Sequence, residues 1–243
     1  MAKNAGFSVP VEYFGQSGSS VLVLKSSTEG RDFAVKQTAT DERGDIVARD
    51  LAGERISPSA VYNVKAAGDL SLVLGSVNTV DTDVVVLLGC DISTSAASAP
   101  EVTLSGESIQ SGGTASSTVT LPAIALSPRH KAQILAGAFT LTGAGCNLTS
   151  CSLSARANIT RATVSGDTVA HDVSGAEIVV SGTVQQTGAT APTIAAADGW
   201  ELTTPKSKAN PDEGYIEWTF EATKAAASAE PKAAASAEPV SED

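Results

Sequence analysis

Leu153-Ser154-Ala155-Arg156-Ala157-Asn158-Ile159-Thr160 alternates apolar and polar side chains, the period-two pattern of a strand with one face in a core and the other in water. Ile178, Val180, Gly182 and Val184 form a second set of the same kind. Between the two sets lies Gly166-Asp167. Glycine supplies positive φ and aspartate bonds its own neighbouring backbone, so this pair turns the chain. The segment therefore predicts a long β-hairpin.

The turn region occurs twice. Gly44-Asp45-Ile46-Val47-Ala48-Arg49-Asp50-Leu51-Ala52-Gly53-Glu54-Arg55-Ile56 aligns without gaps on Gly166-Asp167-Thr168-Val169-Ala170-His171-Asp172-Val173-Ser174-Gly175-Ala176-Glu177-Ile178. The shared polar and glycine positions are ones that a common composition bias would not place in register, so they point to internal duplication. Phe33 to Val64 is then expected to form a second hairpin, and the chain to divide into related β-sandwich or barrel-like units at 1–112 and 113–223.

Further strands are expected at Val21–Lys25, Leu70–Leu74, Val84–Ile92, Val102–Leu104, Thr118–Leu121 and Gly214–Ala222. In the last of these Ile216, Trp218 and Phe220 face one way and Tyr215, Glu217, Thr219 and Glu221 the other, which predicts the closure of a second core. Hydrophobic residues make up 42% and aromatics 4% of the 243 residues, so Val, Ile, Leu and Ala must fill the interior. Together with abundant Ser and Thr they favour strands. The fold class is all-β, with one short helix expected at 127–137: Ser127 as cap, Pro128 in the first turn, Arg129 to Ala136 as body and Gly137 at the end. From Lys224 the composition becomes Lys-Ala-Ala-Ala-Ser-Ala-Glu-Pro, repeated from Lys232. Residues 224–243 offer almost nothing to bury and are read as a flexible tail.

The net charge of −11 opposes attraction to phosphate backbones and anionic membrane surfaces. The N-terminus lacks the apolar core of a signal peptide, and the run Val84–Cys90 is too short to cross a bilayer. A cytoplasmic site of synthesis is expected. There Cys90, Cys146 and Cys151 are thiols acting as small hydrophobes, and the sequons at Asn147 and Asn158 are chance matches.

Candidate chemistry is sparse. His130 falls in the expected helix, and His171 in the repeated motif, where the other copy has Arg49. A slot that takes either residue suits ion pairing better than catalysis. Cys146 and Cys151 lack a common zinc spacing. Asp41, Glu42, Asp45 and Asp50 lack the alternation of a calcium loop, and Gly15-Gln16-Ser17-Gly18 and Gly143-Ala144-Gly145 lack phosphate-loop spacing. No catalytic, cofactor-binding or metal-binding residue is assigned, and the chain is read as non-enzymatic.

Arg161-Ala162-Thr163, the Gly166–Gly175 motif and the ending Asn210-Pro211-Asp212-Glu213-Gly214-Tyr215-Ile216-Glu217-Trp218-Thr219-Phe220 resemble the Ala/Thr/Val-rich β-structured virion proteins of tailed bacteriophages, tail tube components above all. That resemblance, carried by 151–223, implies sheets that join between subunits into a ring around a DNA conduit. It implies self-association as trimers or hexamers, other virion structural proteins as partners, no specific nucleic-acid or membrane binding, and a location in the virion after synthesis in the bacterial host cytoplasm. A capsid decoration protein and a tail adhesin are the alternative readings.

Overall fold

The computed structural model describes residues 14–16, 19–40, 42–43, 46–80, 83–109, 114–164, 167–188, 190–210 and 212–228, with side chains described at all of these except 32–40, 46–54, 80, 114, 167 and 210. In chain order the strands are β1 (Leu22–Thr40), β2 (Ile46–Val64), β3 (Gly68–Leu70), β4 (Val73–Leu74), β5 (Val77–Val80), β6 (Asp83–Ser95), β7 (Glu101–Ile109), β8 (Thr114–Ser116) and β9 (Val119–Thr120). They continue as β10 (Ile124–Leu126), β11 (Phe139–Thr142), β12 (Cys146–Val164), β13 (Asp167–Gln186), β14 (Thr193–Ala196), β15 (Glu201–Leu202), β16 (Lys206–Asn210) and β17 (Tyr215–Ala227). The fold is all-β.

Most of these strands build one large sheet in the order β1-β2-β7-β6-β12-β13-β17-β15, with β16 also on β17, β5 on β6 and β8 on β13. Along that order each half of the chain keeps to its own side of the β6–β12 joint. Within each half the layout is the same: a long hairpin, then a later strand of that half beside the returning arm. Thus β7 lies on β2, with Ala60 opposite Leu104, and β17 lies on β13, with Gly182 opposite Phe220.

The two hairpins also share irregularities. In β1–β2 the register slips at Lys25, at Gly53 and at Val47; in β12–β13 it slips at Thr149, at Ser174 beside Gly175, and at Val169. One further slip, at Lys36, belongs to β1 alone. Val47 and Val169, like Gly53 and Gly175, are aligned positions of the repeated motif. A bulge swaps which side chains face inward, so on β13 the buried set runs His171, Val173 and then Ala176, Ile178, Val180.

Among the described residues, one face of the sheet is buried and the other uncovered. Cys90, Ile92, Val102, Leu104, Cys151, Leu153, Ala155, Ile178 and Val180 turn inward. They pack against a second layer made of the small ribbons β3–β10, β4–β9 and β11–β14, which supply Leu70, Leu74, Val119, Ile124, Leu126 and Phe139. The expected separate second core is not formed. Phe220 joins the same apolar cluster as Cys90 and Leu104, because the β6–β12 ladder makes the halves one sheet with one inner side.

The expected two-turn helix is also absent. The segment after Ser127 is irregular and ends in a single 3-10 turn at Leu135–Gly137, with Ala136 and Gly137 at positive φ. So short a helix is marginal by itself, and here its polar groups bond elsewhere. The Gln133 N–H donates to Thr94 Oγ1 of β6, and the Gln133 side chain donates to the Ser127 carbonyl. That arrangement lets Ala132, Leu135 and Ala138 all bury.

At the other boundary, β17 runs past the composition break at Lys224 to Ala227. Lys224, Ala225, Ala226 and Ala227 continue the ladder against Ile178, Glu177, Ala176 and Gly175. The Lys224 ammonium lies over the Trp200 ring, 5.8 Å from its centroid. Backbone pairing and that cation–π contact order a stretch whose side chains offer little burial. Residues 229–243 lie outside the described residues, as do Asp41, Asp45, Gly44 and Gly166 at the hairpin tips.

Candidate functional site: a polar sheet face with open edges

The outward parity of the central strands places polar side chains in rows that cross the sheet. One row reads Asn63, Glu101, Ser93, Ser152, Ser181, Glu221; the next reads Val61, Thr103, Asp91, Ser154, Val179, Thr223. Neighbours in such rows stand about 5 Å apart, so the rows form a surface over six strands that is mostly hydroxyl and carboxylate, interrupted by Val61 and Val179. A groove of about 240 Å³ lies along it, lined by Asp91, Ser93, Thr103, Ser152 and Ser154. The cations here are held by acids: Arg156 donates to Asp91, and Lys25 to Glu101.

Two edges of this sheet are open. Among the described residues β1 pairs with β2 alone, and β15 and β16 pair only with β17. Beyond Ser59, where the β7 ladder begins, β1–β2 continues as a two-stranded ribbon. Pro58 stands at that point, and a residue without an N–H cannot extend a ladder on both sides. A two-stranded ribbon is marginal in water, and a long edge strand presents unpaired N–H and C=O groups to any strand that fits.

A partly buried polar cluster ties the second hairpin to the first half. Arg161 of β12 grips Glu107 of β7 with two bonds, Nε to Oε1 and Nη2 to Oε2, both 2.7 Å. His171, opposite Arg161 on β13, is fully buried with neither ring nitrogen hydrogen-bonded, its Nε2 3.9 Å from Glu107 Oε1. Burial drives the imidazole below its ordinary proton affinity, and the Glu107 carboxylate offsets this in part. The ion-pairing reading of the Arg49/His171 slot thus places His171 beside a salt bridge but outside hydrogen-bond reach.

The remaining candidates are dispersed. His130 is exposed in the irregular segment, Glu42 is exposed beside the first hairpin's tip, and Gly143 and Gly145 serve a tight turn at positive φ. Cys90 and Cys151 are buried, and burial pushes their thiols up to about 12 and about 11. Among the described residues no group of three potential metal ligands converges, and no helix is long and apolar enough to cross a membrane. Sequence reasoning missed Glu107 and Arg161, whose pairing joins positions 54 residues apart. The usable signal was parity: counted from Val173, His171 falls on the inward face.

No protein-family model and no curated protein matches the chain.

Proposed function

We propose that this chain is a non-enzymatic structural subunit of a tailed-phage particle, a tail tube component built from a duplicated sheet unit. Copies join edge to edge into a ring, and the hydroxyl and carboxylate face lines the channel. The observation that carries this reading is the conjunction of an uncovered polar face with open edge strands on one continuous sheet. The slips at Val47 and Val169, aligned positions of the repeat, support the duplication, since independent strands have no reason to slip at aligned residues.

The chemistry of the face suits a conduit. Each cation that neutralises a phosphate adds counterion-release affinity and would hold DNA in place, whereas Ser, Thr, Asp and Glu let it pass. Edge-to-edge joining of two different edges is heterologous and closes into a ring when the rotation permits.

Negative-stain images of the purified protein, with its mass in solution, test the reading. Rings or tubes with an axial channel, and no retention of duplex DNA at low salt, are expected. A monomer at all concentrations would overturn it, and a compact trimer without a channel would favour a capsid decoration protein. Ser27→Pro and Thr28→Pro sharpen the test. Their N–H groups point to opposite sides of β1, so one of the two substitutions blocks assembly while leaving the β1–β2 ladder intact.

A further inference from the structure

The joint between the halves shows, inside one molecule, how a strand equivalent to β1 adds to a strand equivalent to β16. On β6, β12 lies antiparallel with Ser154 opposite Asp91 and Ser152 opposite Ser93. Arg156 then reaches diagonally to Asp91, while Glu177 of β13 stands opposite Arg156 on its other side. The row is acid, base, acid.

The matching registers carry this joint onto the open edges. Counting from the shared bulges, Thr28, Gly30 and Asp32 of β1 hold the places of Ser152, Ser154 and Arg156, and Arg55, opposite Asp32, holds the place of Glu177. On the far edge Lys206 and Lys208 face Thr219 and Glu217 of β17 as Asp91 and Ser93 face Thr103 and Glu101 of β7.

We propose that copies join head to tail by laying β1 of one copy on β16 of the next, in the register of β12 on β6, with Gly30 of one copy opposite Lys206 of its neighbour. This rests on the self-assembling function above and names its contact.

The test uses the full chain, with assembly followed by light scattering and the fold of each unassembled variant checked by circular dichroism. In a Cys146→Ser background, Gly30→Cys with Lys206→Cys places directly opposed positions at disulfide distance, and oxidation should give a ladder of covalent oligomers. Assembled cysteine variants that give no ladder would overturn this joint and leave the function standing. A wild-type protein that never assembles would overturn both.

Discussion

Gly182 forms the floor under the Phe220 ring: a Cβ built on Gly182 would stand 2.3 Å from Phe220 Cζ and 2.9 Å from Cε1 and Cε2. The ring has no room to retreat, because Phe139 meets it edge-on with centroids 4.5 Å apart. In the first half the corresponding pair is Ala60 opposite Leu104, so a larger floor residue goes with a smaller roof. Gly182→Ala should destabilise the protein by about 1–3 kcal/mol through overpacking. Adding Phe220→Leu should recover part of that loss, giving a non-additive double-mutant cycle in denaturant unfolding. Additive losses would show that the two residues do not share the strain.

His171 makes stability depend on pH with a definite sign. Its native proton affinity is lowered by burial, so the unfolded chain binds the proton more readily and the group's contribution is full above the ordinary value of about 6.5. It is lost as pH falls through that value toward the lower native one. His171→Phe should therefore flatten the decline in unfolding free energy between pH 7.5 and pH 5. An equal decline in both proteins would assign it to other groups. With two histidines in the sequence, NMR titration of the wild type can check the assignment directly.

The Glu107–Arg161 pair should respond unequally to truncation. Arg161→Ala leaves a carboxylate whose side chain is 7% exposed without its partner, while Glu107→Gln leaves a guanidinium that is 38% exposed and can turn to water. Breaking a buried pair from the side that strands the buried charge costs about 3 kcal/mol or more. The Arg161 variant should thus be the less stable in urea, and the reverse order would mean that Glu107 finds another cation.

Truncation separates the two parts of the C-terminus. Ending the chain after Ser228 should leave the melting temperature nearly unchanged, since what is removed has almost nothing to bury. Ending it after Thr223 removes the last rungs of β17 on β13 and the Lys224–Trp200 contact. A fall of several degrees is expected there, at about 2–4 °C per kcal/mol for a chain of this size.

The long strands of the large sheet are legible because they carry a periodic signal. Leu153 and Ala155 alternate with Ser154 and Arg156, and Gly-Asp marks the turn. The covering layer is legible only in part: the strands expected at Leu70–Leu74 and Thr118–Leu121 overlap β3, β4 and β9, but nothing local marks their pairings. Ile124–Leu126 pairs with Gly68–Leu70 across more than fifty intervening residues, and strands of two to four residues hold too few side chains to show a period. The helix expected at 127–137 fails for a related reason. Its caps and composition are genuine local preferences, but Thr94 offers Gln133 a long-range partner that no local rule contains. The rows of the polar face are half visible, since outward residues can be named strand by strand while their neighbours depend on register. The Glu107–Arg161 pair needs the full topology.

Sheet order also governs events during translation. The strands through β7 leave the ribosome as a unit whose β6 edge waits for β12, which begins at Cys146. At roughly 5–20 residues per second that edge stays bare for a few seconds. The β12 strand of another nascent chain on the same polysome offers β6 the same hydrogen bonds as its own, and exchange of an identical element in this way gives a strand-swapped dimer. Slower synthesis lengthens the wait, so the yield of correctly closed protein should depend on translation rate and temperature more than on final stability.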